Sequence, residues 1–145
     1  MITRTASARY EGLGKEGRGT VSTGSGVLSD QPYSFGTRFE EQAGTNPEEL
    51  VAAAHAACFT MALSFALAKE GLAAGRLDTS ARVKLEKQGE GFAVTRSDLT
   101  LEAEVPGIDE ARFREIAEGA KAGCPISKLL NAEIGLELRL AQTAG

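Results

Sequence analysis

Three side chains of this sequence could do chemistry, and two of them share one apolar segment. The chain has a single histidine, His55, and two cysteines, Cys58 and Cys124. His55 and Cys58 lie within Leu50–Ala68, where an unpartnered polar group would cost free energy. A cysteine can be a small buried hydrophobe, a nucleophile, a redox centre or a metal ligand. The sequence therefore has to be tested against each of these roles.

A metal site and a hydrolytic dyad are the first two chemistries to consider. A structural zinc site takes four ligands, but this chain has one His, two distant Cys and no C-x-x-C motif, so we expect no metal. His55 and Cys58 could form a hydrolase dyad, because residues three apart are neighbours on a helix. However, Cys58 lies about three turns into the predicted helix, away from the N-terminal dipole that lowers a thiol pKa. A buried, hydrogen-bonded histidine is the simpler interpretation of His55.

The element that carries these residues is predicted to be a long helix. Asn46 can be its N-cap, or Thr45 can form a capping box with Glu48, and Gly71 ends it. Leu50–Ala68 approaches the ~20 residues that span a bilayer. Its many alanines, its polar side chains and its lack of basic or aromatic anchors favour a soluble helix and no membrane contact.

Alternating apolar and polar residues predict strands on both sides of this helix. The predicted strands are residues 2–10, 18–29, 77–88, 92–105 and 132–140. A phase change predicts a bulge between Thr95 and Asp98. Asp109 caps a second helix, Cys124 opens a short helical turn, and residues 30–45 are expected to be a loop.

The predicted order, βββ-α-ββ-α-β, counts a third strand before the long helix in addition to the two ranges given there. This order indicates an α+β fold in a single domain, residues 1–145. The long helix is apolar on every side, which is typical of a buried helix. Six short strands in one layer would cover only one side of it. A second subunit would cover the other side, so the pattern predicts a homodimer.

Composition restricts the partners and the compartment. A net charge of −4 without any long basic run argues against nucleic-acid binding. The first residues contain no apolar stretch of a secretory signal, and two distant cysteines are too few for a disulfide framework. We therefore expect a cytoplasmic protein.

The segment TNPEELVAAAHAACFTMALSFAL, together with CPISKLL further along, resembles the OsmC/Ohr family of thiol peroxidases (osmotically inducible protein C and organic hydroperoxide resistance protein). The element order agrees over nearly the whole chain. The resemblance implies an intertwined homodimer, with antiparallel sheets wrapped around the long central helices and two active sites at the interface. It also implies organic hydroperoxides as substrates, a dithiol of the lipoyl type as reductant, and no cofactor.

The same resemblance assigns roles to individual residues. Cys58 corresponds to the peroxidatic cysteine, Cys124 to the resolving cysteine, and Glu48 to the carboxylate that orients a catalytic arginine. His55 in AAHAAC is typical of the OsmC branch, in which the arginine comes from the loop before the helix. In this chain that loop is SFGTRFE, which makes Arg38 the expected arginine.

The arginine assignment has a competitor. In the Ohr branch the arginine lies in the early glycine-rich turn, and here GKEGRG offers Lys15 and Arg18. A surface Arg38 paired with a neighbouring glutamate is the structural alternative.

Aromatic residues suggest a substrate pocket beside the expected arginine. Tyr33, Phe35 and Phe39 flank Arg38, and His55 is a further candidate for the pocket wall. By the resemblance, Cys58 would attack the O–O bond and become a sulfenic acid, and Cys124 would condense with it to a disulfide. The competing hypotheses are a cysteine–histidine hydrolase and a non-catalytic lipid-binding or redox-sensing protein.

Overall fold

The computed structural model describes residues 1–141. The chain forms two compact units, Met1–Leu50 and Val51–Gly145, and the second is described as far as residue 141. The observed elements confirm the α+β class. The strands form two separate three-stranded sheets, one in each unit, and not the single layer expected from the sequence.

The first unit is built on an antiparallel sheet. Its strands are β1 (Ala6–Glu11), β2 (Arg18–Thr23) and β3 (Gln31–Tyr33). A turn of 3-10 helix, Gly14–Glu16, joins the first two strands. Gly12 and Gly14 have φ values of 79° and 68°, a region that favours glycine, which explains the glycine-rich sequence of this hairpin.

Residues 30–45 are more ordered than the loop expected from the sequence. They contain β3 and a short helix, α1 (Phe35–Phe39). Ser34 caps this helix: its hydroxyl accepts the Thr37 N–H at 3.3 Å, and the Thr37 hydroxyl accepts the Ser34 N–H at 2.8 Å. This reciprocal capping box satisfies the first amides of a helix too short to be stable alone.

The long helix, α2 (Pro47–Lys69), begins at the predicted N-cap. Asn46 Oδ1 accepts the N–H of Glu49 at 2.8 Å. After the helix, Gly71 has a φ of 89°, which lets the chain turn away from the helix axis.

Burial of α2 is one-sided, as expected for a single chain whose strands cover only one side of the helix. Its buried residues are His55, Phe59, Leu63 and Leu67. They recur every fourth position and therefore form one stripe. By length and composition α2 could cross a membrane, and it is the one such helix within residues 1–141. In the structure, Phe59, Leu63 and Leu67 of the buried stripe pack into the core of the second unit.

The second unit has the larger sheet and two further helices. They are β4 (Arg76–Gln88), β5 (Gly91–Glu104), α3 (Glu110–Gly123), α4 (Pro125–Leu129) and β6 (Glu133–Leu140). β4 and β5 are antiparallel, whereas β5 and β6 are parallel, which corrects the expectation of purely antiparallel sheets. The connection through α3 and α4 brings the chain back to start β6 in the direction of β5.

The predicted bulge is present at Thr95. Lys84 pairs with Arg96 and Leu85 with Val94, so β5 has one extra residue there. Thr95 Oγ1 is buried without a hydrogen-bond partner among the described residues. Beyond the bulge, Leu99, Leu101 and Ala103 all point into the core.

The core of the second unit joins α2 to β5 and α3. Phe59 and Leu63 of α2 and Phe113 of α3 have no exposed surface. Burying side chains of this size stabilises a protein by about 1.5–3 kcal/mol each. Cys124 belongs to the same buried cluster, and Cys58 packs against it.

Candidate active site

The two cysteines meet at one edge of this core. Cys58 lies in the middle of α2 and is half-buried, whereas Cys124 has no exposed surface. Both thiols are free, and they lie within hydrogen-bonding reach of each other. Residues far apart in sequence are thus held where a disulfide could form between them.

The environment of Cys58 favours the neutral thiol. Burial is the largest influence and raises its pKa, and the neighbouring Cys124 raises it further. The backbone N–H of Ile126 acts in the opposite direction and lowers the pKa. Within the second unit, the thiolate of Cys58 therefore has little to stabilise it.

Cys124 occupies a different position, at the joint between two helices. It is the C-cap of α3 and the N-cap of α4, and its N–H donates to the Ala120 carbonyl at 2.9 Å. Its side chain makes no capping hydrogen bond of normal geometry. Nevertheless, Cys58, the N–H groups of Ser127 and Ile126, and the Ser127 hydroxyl face the sulfur. Burial raises the pKa of Cys124, but these groups outweigh burial and lower it.

His55 is a fully buried histidine whose two ring nitrogens are both in use. Nδ1 lies 2.5 Å from Ser97 Oγ, and Nε2 lies 2.8 Å from Ser127 Oγ. Burial lowers its pKa, so the ring is neutral near pH 7. Both ring nitrogens are thus engaged with serines and not with Cys58, and the ring has no exposed surface in the single chain. The structure therefore agrees with the interpretation of His55 as a buried, hydrogen-bonded histidine.

In the first unit, Arg38 and Glu48 form a two-point ion pair. Arg38 Nε and Nη2 each donate to one oxygen of Glu48, both at 3.0 Å. The pair is held by its supporting elements, because Asn46 Nδ2 donates to the Thr37 carbonyl at 2.9 Å and so ties α1 to the start of α2. Among residues 1–141, the third guanidinium nitrogen, Nη1, has no hydrogen-bond partner, so the guanidinium can still bind an anion.

The competing cations of the glycine-rich turn lack a comparable partner. Arg18 is exposed on β2 opposite Glu11, and in the described part of the chain its side chain makes no hydrogen bond or ion pair. The ammonium of Lys15 lies 5.0 Å from the centre of the Phe35 ring. The carboxylate clamp is thus a feature of Arg38.

The three aromatic residues expected beside Arg38 all lie in the first unit, at different places. The rings of Phe35 and Phe39 are 5.1 Å apart, and the Arg38 guanidinium lies 5.1 Å from the Phe39 ring. Tyr33 is further along β3 and contacts Tyr10, with ring centres 6.1 Å apart. Phe39 therefore borders the guanidinium and Phe35 packs against Phe39, whereas Tyr33 belongs to the sheet.

An apolar groove of about 1050 Å³ runs along α2 in the second unit. Met61, Phe65 and Leu72 contribute to its walls, but neither cysteine does. This groove is therefore distinct from the thiol pair. Within residues 1–141, no cluster of three or more His, Cys, Asp or Glu side chains could hold a metal ion.

Two residues of this region could not be picked out from sequence patterns. Ser97 and Ser127 reach His55 from β5 and α4, and both contacts are long-range. The spacing of Ser127 three residues after Cys124 was the one available signal, because the third helical position faces the N-cap.

Comparison with known proteins identifies relatives over most of the chain. The family of OsmC-like proteins matches residues 40–139. Peroxiredoxin OsmC of Escherichia coli (strain K12) is 54% identical over 139 residues, covering 96% of this chain and 97% of the relative. An organic hydroperoxide resistance protein of Xanthomonas axonopodis pv. citri (strain 306) is 33% identical over 99 residues, 68% of each chain.

A solved structure supports the same relationship. The organic hydroperoxide resistance protein OhrB of Bacillus subtilis matches with a TM-score of 0.69 and 31% identity, over 95% of this chain and 98% of the other. The matches confirm the resemblance inferred from the helix motif and the CPISKLL segment, and they extend beyond those two motifs. This chain belongs to the OsmC-like family.

Proposed function

We propose that this protein is a thiol-dependent peroxidase that reduces organic hydroperoxides to alcohols. The carrying observation is the cysteine pair, because a half-buried Cys58 lies within reach of a fully buried Cys124. Such a pair matches a two-cysteine peroxidase, in which one thiol meets the oxidant and the other resolves the product. Relatives named a peroxiredoxin and organic hydroperoxide resistance proteins support this activity.

The proposed cycle begins at the more exposed thiol. The Cys58 thiolate attacks the O–O bond, and the sulfur becomes a sulfenic acid while the alkoxide leaves and takes up a proton. Cys124 then attacks the Cys58 sulfur, water is released, and a disulfide remains. An external dithiol reduces this disulfide, and we propose a lipoyl-type dithiol as that reductant.

The first step needs a positive charge near Cys58, because burial raises the pKa of this thiol. We assign this role to Arg38, held by Glu48. The clamp on two guanidinium nitrogens leaves the third for the thiolate or the peroxide. Phe39, which borders Arg38, and Phe35, which packs against Phe39, would contact the organic tail of the substrate.

Ionising the thiol can explain only a small part of the acceleration. Lowering a thiol pKa from ~8.5 to ~6 raises the thiolate fraction at pH 7 about 30-fold. With a Brønsted slope of ~0.45, the less basic thiolate is about 13-fold less reactive, so the net gain is about twofold. Arg38 would therefore act mainly by stabilising the departing alkoxide and by positioning the peroxide.

We further propose that the active form is a homodimer in the cytoplasm. The apolar side of α2 that its own chain leaves uncovered supports the dimer, since Met61 and Phe65 are 62% and 65% exposed there. Exposed apolar surface of this kind marks interaction sites. We also propose that residues 1–145 form one OsmC-like domain, although residues 142–145 lie outside the described part of the chain.

A turnover assay tests the activity. Wild-type protein with tert-butyl hydroperoxide and dihydrolipoamide should consume many equivalents of peroxide per chain, whereas Cys58→Ser should consume none, because a hydroxyl is a far weaker nucleophile than a thiolate. Thermal unfolding of both proteins controls for misfolding. Consumption that stops at one equivalent in the wild type would favour a redox sensor and refute the enzyme.

The hydrolase alternative can be tested with the same variants. It requires His55 as a base for Cys58, but both ring nitrogens of His55 are bonded to serines. We expect no cleavage of a p-nitrophenyl ester above the rate of the Cys58→Ser variant. Cysteine-dependent ester turnover that survives loss of Cys124 would favour the hydrolase.

A further inference from the structure

A network of hydrogen-bonded, buried polar side chains leads to Cys124 and has no role in the cycle proposed above. Ser97 Oγ lies 2.5 Å from His55 Nδ1, and His55 Nε2 lies 2.8 Å from Ser127 Oγ. Ser97 and His55 have no exposed surface, and Ser127 is 9% exposed. The three residues connect β5, α2 and α4 through the core, where a polar group without a partner would be costly.

The last residue of this network, Ser127, is placed to reach the sulfur of Cys124. Cys124 is the N-cap of α4 and Ser127 is its third residue, and in capping boxes the third side chain turns back toward the N-cap. The Ser127 hydroxyl is among the groups that favour the Cys124 thiolate. The network therefore runs from Ser97 through His55 and Ser127 to the sulfur of Cys124.

The hydrogen bonds of this network can all be donated in the direction of that sulfur. His55 is neutral, so one ring nitrogen carries a proton and the other accepts one. If Nε2–H donates to Ser127 Oγ, the Ser127 hydroxyl proton is available to the sulfur, and Ser97 donates to Nδ1. Hydrogen bonds aligned in series strengthen one another in a buried site.

We propose that Ser127, oriented by His55, donates a hydrogen bond to the Cys124 thiolate and holds it ready to attack the Cys58 sulfenic acid. This inference rests on the proposed peroxidase cycle. In the step concerned, the Cys124 sulfur forms the S–S bond and the S–O bond of Cys58 breaks. Hydroxide leaves and is protonated by solvent, which has already received the thiol proton of Cys124. The Cys124 sulfur is oxidised and the Cys58 sulfur is reduced.

Few other groups could control the ionisation of Cys124. The facing titratable group from α2 is Cys58, with His55 behind Ser127; α4 contributes Ser127 and backbone N–H groups. The Lys121 ammonium of α3 has other partners, because it donates to the Ile134 carbonyl at 3.5 Å and pairs with Glu118 at 3.1 Å. None of the main influences on the Cys124 pKa comes from a charged side chain. Ser127 is therefore the side chain, besides Cys58, whose replacement should change the stability of this thiolate.

The test separates the two chemical steps in a single turnover. Stopped-flow mixing of reduced protein with tert-butyl hydroperoxide gives the rate of peroxide consumption, and dimedone trapping gives the lifetime of the Cys58 sulfenic acid. Ser127→Ala should slow disulfide formation roughly threefold near pH 7. Losing one hydrogen bond to a charged group lowers the thiolate fraction about tenfold, and the more basic thiolate that remains is about threefold more reactive. Peroxide consumption should stay within about twofold of wild type.

Two further variants distinguish the hydrogen bond from general damage. Ser127→Thr keeps the hydroxyl and should restore disulfide formation to within about 1.5-fold of wild type. His55→Gln should slow the same step by less than Ser127→Ala, because Ser127 keeps its hydroxyl. As a matched control, Thr60→Val removes a hydroxyl of α2 that bonds Thr79 at 2.6 Å, and it should change neither step.

The pH dependence gives the most specific outcome. The deficit of Ser127→Ala should disappear at alkaline pH, where Cys124 is ionised without help. A deficit that persists at every pH, or that affects both steps equally, would show a structural role and overturn the proposal. Unchanged disulfide formation in Ser127→Ala would overturn it as well, with the peroxidase function intact. A wild-type protein that consumes no peroxide would overturn both proposals.

Discussion

Replacing Arg38 by lysine should reduce peroxidase activity while the fold survives. Lysine keeps the positive charge but has no planar fork, so it cannot hold both oxygens of Glu48 and a substrate oxygen at once. In the structure Arg38 makes two hydrogen bonds of 3.0 Å to Glu48. The variant therefore tests geometry at constant charge.

The size of the effect follows from these contacts. A hydrogen bond to a charged group contributes about 1.5–3 kcal/mol. The Arg38 side chain is 37% exposed and that of Glu48 is 14% exposed, so solvent screening favours the lower end of this range. Losing one such bond at about 1.5 kcal/mol lowers kcat/KM roughly tenfold. Exposed ion pairs contribute at most about 1 kcal/mol to folding, so the Tm should fall by no more than about 4 °C.

The assay compares Arg38→Lys with a matched variant, Arg18→Lys. Both proteins are given tert-butyl hydroperoxide and dihydrolipoamide, and Tm is measured in parallel. Arg18 has no side-chain ion pair among residues 1–141, so its variant should stay within about twofold of wild-type kcat/KM. If Arg18→Lys is the damaging change and Arg38→Lys is not, the assignment of Arg38 is wrong.

Three further predictions concern assembly, ionisation and substrate choice. Light scattering at micromolar concentration should give about twice the 15.2 kDa chain mass; an active monomer would contradict the proposed cover for α2. Cys124→Ala removes a neighbour that raises the pKa of Cys58, so the pH profile of Cys58 alkylation by iodoacetamide should shift to lower pH; a shift to higher pH would contradict the described contact. An apolar tail of four carbons should gain on the order of 3 kcal/mol at ~0.8 kcal/mol per methylene, so tert-butyl hydroperoxide should react at least about tenfold faster than hydrogen peroxide even with imperfect packing; equal stopped-flow rates would rule out an apolar substrate pocket.

Local signals in the sequence predicted local features of the fold. The caps at Asn46 and Asp109 are present, with their side chains accepting the N–H groups of Glu49 and Arg112, each at 2.8 Å. The phase change in β5 marked the bulge at Thr95. These features depend on residues a few positions apart, which a single sequence displays directly.

Features that depend on distant residues were not predictable in the same way. Alternation in β6 indicates a strand but does not specify its direction, so the parallel pairing with β5 was missed. The helix α1 was missed because five residues are too few for a periodic pattern.

At the candidate site, the family resemblance was needed to connect Cys58 with Cys124, because their spacing alone fits a pair of unrelated buried thiols. The serines that bind His55 come from β5 and α4, and no pattern near the histidine indicates them. Residue types identified the reactive groups, whereas their partners emerged only once the chain was folded.

Mapping the cysteine products after one turnover tests the central claim most directly. Reduced protein is mixed with one equivalent of tert-butyl hydroperoxide, quenched with a thiol-alkylating reagent, and digested without reductant for mass spectrometry. The proposed cycle predicts one equivalent of tert-butyl alcohol and a peptide pair joined through Cys58 and Cys124. A sulfinic acid at Cys58 with Cys124 still alkylated as a free thiol would contradict the two-cysteine cycle.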